Sequence, residues 1–331
     1  MPISFKEDHI SQIPALLMLE KLGYTYLTPD EALALRGGNL ANVLLEPVLR
    51  KQLAAINVVQ VSSVRTTVFS EQNITAGIDA LRNIPMDEGF MEASQTVYDL
   101  LTSGKTLEQI VDGDRKSFVM QYIDWKNPRN NVFHVTEEFA VSRTGMTDTY
   151  RPDIVLFVNG IPLCVIECKR PDVKDSIEQA ISQHLRNQKA DGIRSLYLYS
   201  TLLLAINRQE GSYATTATPE KFWARWREQF TNREEEVRYR QELGRVVNEP
   251  LLDDKLFGER FGYVRRNFEE LYRQPVIPSV QDEYLYNLCR PERLLQLMYG
   301  FTLYDDGIKK VARYQQFFAV RQTMQRIRHI E

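Results

Sequence analysis

Arg151-Pro152-Asp153-Ile154-Val155-Leu156-Phe157-Val158-Asn159-Gly160-Ile161-Pro162-Leu163-Cys164-Val165-Ile166-Glu167-Cys168-Lys169 reads as two short apolar strands around an Asn-Gly turn, a strong short-range hairpin signal. The polar groups collect at its open end. Asp153 enters the first strand, and Glu167 and Lys169 leave the second. Side chains alternate along a strand, so Glu167 and Lys169 share a face and Cys168 points the other way. Charges at the end of a near-continuous apolar strand are unusual unless they are used. Two carboxylates beside a lysine, at the rim of an apolar sheet, are what metal-dependent phosphodiester cleavage needs. Asp153 and Glu167 suit Mg²⁺, a hard ion that keeps several waters for a substrate phosphate. The backbone carbonyl of Cys168 is a further candidate ligand, which leaves that side chain to pack in the core. Lys169 is placed to orient the attacking water or to neutralise charge building on the phosphate.

Strand register sets a condition on this site. A plain two-residue turn pairs Val158 with Ile161 and Asp153 with Ile166, which turns Asp153 away from Glu167. A three-residue loop, Val158-Asn159-Gly160, pairs Asp153 with Val165 and returns it to the Glu167 face. A bulge in either strand does the same. The site therefore requires three residues in the turn or a bulge nearby.

The chain has 331 residues, room for two domains and a sizeable core. A net charge of −3 argues against a general polyanion-coating protein, so any nucleic-acid surface must be local. Cys164, Cys168 and Cys289 form no paired framework and suit reduced thiols in a cytoplasmic protein. The N-terminus lacks a signal-peptide layout, and the longest apolar run, around Leu196 to Ile206, is too short for a bilayer. His9, His134, His184 and His329 lack zinc-ligand spacing, and the sequence has neither a nucleophile elbow nor a dinucleotide fingerprint. His184 is expected to pack rather than shuttle protons.

Periodicity places an amphipathic helix from about Phe5 to Leu22, ended by Gly23, and a short strand from Tyr24 to Leu27. Pro29 to Asn57 reads as mostly helical with a break at Gly37-Gly38. Further helices are expected from Thr75 to Leu81 and from Gly89 to Thr102. Strands are expected at Ser117–Asp124 and Val132–Ser142, then the hairpin, a helix from Asp175 to Gln188, and a strand-like run from Ser195 to Asn207. Thr218-Pro219-Glu220 carries the residues that open a helix. The fold class is α/β, a mixed central sheet flanked by helices, followed by a mostly helical segment. The domains are drawn at 1–250 and 251–331. The tail from Lys309 to Glu331 reads as a helix with an unpaired apolar face, as if the chain were cut in mid-protein.

With those residues in place, the hairpin resembles the nuclease motif of the restriction (R, or HsdR) subunit of type I restriction-modification enzymes, members of the PD-(D/E)xK nucleases. Similar segments include Ile123-Asp124-Trp125-Lys126-Asn127-Pro128, Thr215 to Trp226, Phe301 to Asp305 and Lys310 to Val320. The resemblance implies a PD-(D/E)xK restriction-endonuclease-like core in which Asp153, Glu167 and Lys169 form the catalytic set with Mg²⁺. It also implies a role for Gln183 in a Q-x-x-x-Y element, although Asn187 stands where tyrosine is expected. Glu7 or Gln12 is an imperfect match to a first-helix glutamate. Gln315, beside Arg313-Tyr314, resembles an adenine-reading Q motif, so ATP is implied only for the full-length protein. No G-x-x-x-x-G-K-[ST] motif occurs in these residues. The implied partners are double-stranded DNA and the methyltransferase (M) and specificity (S) subunits, with no membrane. The rival readings are a non-catalytic docking module for the methyltransferase core and a standalone PD-(D/E)xK repair nuclease.

Overall fold

The hairpin forms, and it occupies the middle of a six-stranded mixed sheet in a computed structural model that describes residues 11–60, 65–250 and 255–328. The strands are β1 (Thr25–Tyr26), β2 (Phe133–Glu137), β3 (Ile154–Val158), β4 (Ile161–Cys168), β5 (Leu202–Ile206) and β6 (Gly211–Ala214), arranged in that spatial order. β1–β2 and β4–β5 pair in parallel, and the other neighbours are antiparallel. The fold is thus mixed α/β, with helices covering a central sheet. Every residue of β3 and β4 is buried, as continuous apolar runs require when both faces of a sheet are covered.

The turn resolves the register condition. Val158 pairs with Ile161, and Asn159 and Gly160 both have positive φ (52° and 83°), so the loop is the two-residue primed type. Phe157 then opposes Pro162, but Leu156 opposes Cys164, leaving Leu163 as one extra residue in β4. Beyond it Val165 faces Val155 and Ile166 faces Ile154, which carries Asp153 opposite Glu167. Of the two devices expected, the chain uses the bulge. Pro162 sits at that bulge, where its missing N–H is tolerated. The turn itself is buried. Asn159 donates through Nδ2 to the Tyr122 carbonyl and to Asn131 Oδ1, and its Oδ1 accepts from the backbone N–H of Val132.

Helix α1 (Ile13–Lys21) carries Pro14 in its first turn and is stopped at Gly23 (φ 99°), with the N–H of Tyr24 closing on the Leu19 carbonyl. Its residues Ala15 to Leu19 are all buried, and it packs on β2. The part of the expected helix before Ser11 lies outside the described residues. Helix α2 (Ser176–Asn187) buries Ile177, Ala180, Ile181 and His184 against β4 and β5.

Several elements differ from expectation. Arg194–Tyr199 is a helix and only Leu202–Ile206 is strand. An all-apolar run has no periodicity to separate the two states, and the parallel β4–β5 pair needs a long crossover, which α2 and this helix supply. After Thr218 there is only a single 3₁₀ turn (Glu220–Phe222). Ala224 instead exchanges two backbone hydrogen bonds with Tyr213 and extends the edge of β6. Lys105–Val111 pairs with Asp114–Met120 across Asp112-Gly113, and Thr302–Asp305 with Ile308–Val311 across Asp306-Gly307. Both hairpins lie outside the central sheet. Pro29–Asn57 divides into helices Pro29–Ala34 and Glu46–Ile56, and the last helix is Tyr314–Arg328. Helix Val280–Cys289 packs on α1, where the Tyr24 hydroxyl donates to the Cys289 carbonyl at 2.6 Å. Among the described residues no helix is long and apolar enough to cross a membrane.

Gly160 has no room for a side chain, because a Cβ there would stand 2.6 Å from the Leu45 carbonyl oxygen at a φ of +83°. Gly160→Ala is expected to cost about 1–3 kcal/mol or more, since the strain of the left-handed region adds to that clash. Urea denaturation of the two proteins checks this; equal midpoints would contradict the described turn.

Candidate active site

The bulge brings three charged groups together at the C-terminal end of β4. The backbone N–H of Cys168 donates to Asp153 Oδ2 at 2.8 Å, and Lys169 Nζ donates to the same oxygen at 3.3 Å. Lys169 Nζ also donates to the Cys168 carbonyl at 3.1 Å and lies 3.9 Å from Glu167 Oε2. The ammonium thus touches Asp153 and the Cys168 carbonyl and stands beside Glu167, the three candidate ligands. Two neighbours hold the end of the strand. Gln12 Nε2 donates to the Asp153 carbonyl at 3.0 Å, and Ser11 Oγ lies 3.0 Å from the Lys169 carbonyl. Gln281 Nε2 donates to the Ser11 carbonyl and so ties helix Val280–Cys289 to the site.

Glu167 is the unusual member. Its side chain is fully buried, and neither carboxylate oxygen accepts a hydrogen bond among the described residues. Burial is the largest cause that pushes its carboxyl well above the usual range. The Asp153 charge adds to this, and Lys169 works against it. Tyr197 and His184 form the layer behind. His184 Nε2 faces the Leu204 carbonyl at 2.9 Å and must donate there, so Nδ1 accepts from the Tyr197 hydroxyl at 3.0 Å. Burial pushes this imidazole down to about 4, which leaves it neutral and structural near pH 7.

Of the remaining expected residues, those that are described lie apart from this cluster. Gln183 is half-buried on α2 and makes no hydrogen bond to Asp153, Glu167 or Lys169. Asn187, four residues on, is buried, with Oδ1 accepting from the Arg186 guanidinium. Glu7 lies outside the described residues. Gln315 is exposed and borders an open cavity of about 440 Å³ with Arg225, Arg227 and Arg313, none of which belongs to the cluster. Ser11 and Gln281 were not legible as site residues, because they are polar residues with no charge pattern and come together only in the fold. Cys168 is buried, as expected if only its carbonyl faces the site. No group of three or more His, Cys, Asp and Glu residues gathers as a metal cluster among the described residues. The donors that could hold a divalent cation here are two carboxylates and a carbonyl.

Residues 4–222 match the family described as the type I restriction enzyme R protein N terminus. The chain belongs to that family. It is 25% identical to the putative type I restriction enzyme MjaIXP endonuclease subunit of Methanocaldococcus jannaschii, across 97% of this chain and 28% of the relative. It is also 25% identical to the type I restriction enzyme HindI endonuclease subunit of Haemophilus influenzae, across 96% of this chain and 26% of that protein. This R-protein N-terminal chain spans about a quarter of the length of those relatives.

Glu167→Gln is expected to stabilise the metal-free protein near pH 7. Below about pH 4 the carboxyl is protonated in both folded and unfolded chains, and the two proteins should unfold alike. As pH rises, the unfolded carboxyl ionises while the buried one keeps its proton. The wild type therefore loses stability that the glutamine variant retains. Urea midpoints between pH 4 and 8 should diverge in that direction, and a gap that closes with rising pH would contradict the burial.

Proposed function

We propose that the chain is the DNA-cleaving region of a type I restriction enzyme R subunit, built on a PD-(D/E)xK core and hydrolysing phosphodiesters of double-stranded DNA with Mg²⁺. The observation that carries this is the dry Glu167 carboxylate, both oxygens without a hydrogen-bond donor among the described residues, facing Asp153 and Lys169. A buried carboxylate left so is costly unless a cation or proton completes it. The donor set fits Mg²⁺, with Asp153, Glu167 and the Cys168 carbonyl as oxygen ligands. When bound, the ion would polarise a phosphoryl oxygen and acidify a water. The protein's own part is positional. The Cys168 N–H fixes Asp153 Oδ2, and Gln12 fixes its backbone, so the carboxylate is aimed before substrate arrives. Lys169 carries the positive charge that would meet the anionic phosphate in the transition state. Gln183 would assist from α2.

In this reading the M and S subunits supply assembly and site recognition. ATP-driven translocation belongs to another part of the R subunit, with Gln315 on the approach to it. The surroundings would be cytoplasmic.

The decisive test is cleavage in the assembled enzyme, where translocation and recognition are present. Asp153→Ala and Lys169→Ala should each lower cleavage by about 10²-fold or more while ATP hydrolysis persists. Full cleavage by either variant would refute the assignment. Mg²⁺ should also raise the melting temperature of the wild-type chain and leave that of Glu167→Gln unmoved.

A further inference from the structure

A cavity of about 430 Å³ opens beside the catalytic strand, walled by Thr28, Arg36, Glu138, Thr149, Arg151 and Arg260, with Asp30 on its rim. Arg36 is its unusual member. The residue is only 3% exposed and stacks over the Phe139 ring at 4.0 Å. Nε donates to the Ala32 carbonyl, and Nη1 to the carbonyls of Asn42 and Ala140. Those bonds fix the guanidinium but leave Nη2 without an acceptor among the described residues, on a side chain that lines the cavity. No carboxylate among the described residues pairs with it. Burial alone lowers its pKa, to about 10. A buried guanidinium without a counter-ion is costly until an anion completes it.

The other charges sort themselves. Arg260 is neutralised, with Nε donating to Glu137 and Nη2 to Glu138, both at 2.9 Å. Arg151 is exposed and makes no hydrogen bond or ion pair among the described residues. Asp30 is exposed on the first turn of helix Pro29–Ala34. Arg36 and Arg151 are thus the lining guanidinium groups with no ion pair among the described residues, while of the lining carboxylates Glu138 is held by Arg260 and Asp30 stands at the rim. The position also matters: Arg151 precedes Asp153 by two residues, and the N–H of Glu138 donates to the Asp153 carbonyl at 3.0 Å.

We propose that this cavity is a phosphate subsite, in which Arg36 and Arg151 hold a backbone phosphodiester of the same duplex whose neighbouring phosphate lies at Asp153. The Nη2 of Arg36 offers a phosphate oxygen two N–H donors in a fixed plane, and the Arg151 guanidinium can add its own. Phosphates recur along a DNA strand, so a strand laid across Asp153 brings further ones to this rim. The assignment rests on the nuclease reading and adds a contact that would position the strand without touching the reacting atoms.

The test is binding of a short labelled duplex to the chain in Ca²⁺ buffer, by fluorescence anisotropy over a range of salt. Arg151→Ala should weaken binding about tenfold and reduce the slope of log K against log salt by about 1. Arg36→Gln should do the same, with its circular dichroism melt confirming the fold. Arg151 has no protein partner to lose, so its variant decides the matter even if Arg36→Gln unfolds. Equal affinity and salt slope in wild type and Arg151→Ala, or no duplex binding by the wild type, would overturn the subsite. Inorganic phosphate that binds the wild type, loses its hold in Arg151→Ala and is not displaced by duplex would assign the cavity to a free anion and overturn the DNA contact. Weakened binding by Arg151→Ala together with full cleavage by Asp153→Ala would keep the DNA contact and remove only the nuclease reading.

Discussion

Burial of the hairpin on both faces is the constraint from which the rest follows. Every side chain of β3 and β4 is withdrawn from water, so each needs a covering layer, and polar groups can emerge only where the strands end. The covering helices are accordingly apolar where they meet the sheet: α1 across β2, α2 across β4 and β5. The same burial reaches the turn, where Asn159 spends its side-chain amide on the Tyr122, Asn131 and Val132 segment rather than on solvent. A hairpin held at its tip, its flanks and its neighbouring strands has little freedom left at its open end. Rigidity there is what a site needs to keep its groups aimed.

The electrostatics of that end follow from depth. Asp153 is held by a backbone N–H and an ammonium, whereas Glu167, one strand across and fully buried, has a neighbouring cation at 3.9 Å but no hydrogen-bond donor among the described residues. Two carboxylates of like charge are thus made unequal by their surroundings. Lys169 mediates between them. His184, only a layer away, is removed from the chemistry by the same burial that perturbs Glu167. Desolvation disfavours whichever form is charged, so it holds a proton on the acid and off the base.

How far this was legible in the sequence depends on how local each signal is. The Asn159-Gly160 turn and the alternation around it placed Asp153, Glu167 and Lys169, because a hairpin is specified by a few adjacent residues. Asp112-Gly113 and Asp306-Gly307 are signals of the same kind, and their positive φ values build two more hairpins that went unread, the first in a stretch given no element before the strand expected at Ser117 and the second in one taken as helical. The choice between a longer loop and a bulge was not legible, since both restore the same facing. Contacts decided the rest. Ala224 pairs with Tyr213 in place of continuing a helix, and the crossover demand of a parallel pair turned Arg194–Tyr199 helical. Arg36 shows the limit most clearly: one arginine after a short helix carries no mark that it will be buried with no counter-ion among the described residues.

The extra residue at Leu163 has a consequence for how such chains can vary. Before it, the strands pair with one parity; after it, with the other. Removing or adding a single residue between Ile161 and Glu167 would turn Glu167 and Lys169 toward the layer now occupied by Cys168, and Cys168 toward theirs, a frameshift in space that changes facing without changing any residue's identity. Gains or losses of two residues preserve the facing. Length parity, more than the identity of the apolar residues between, is therefore the trait this segment must keep.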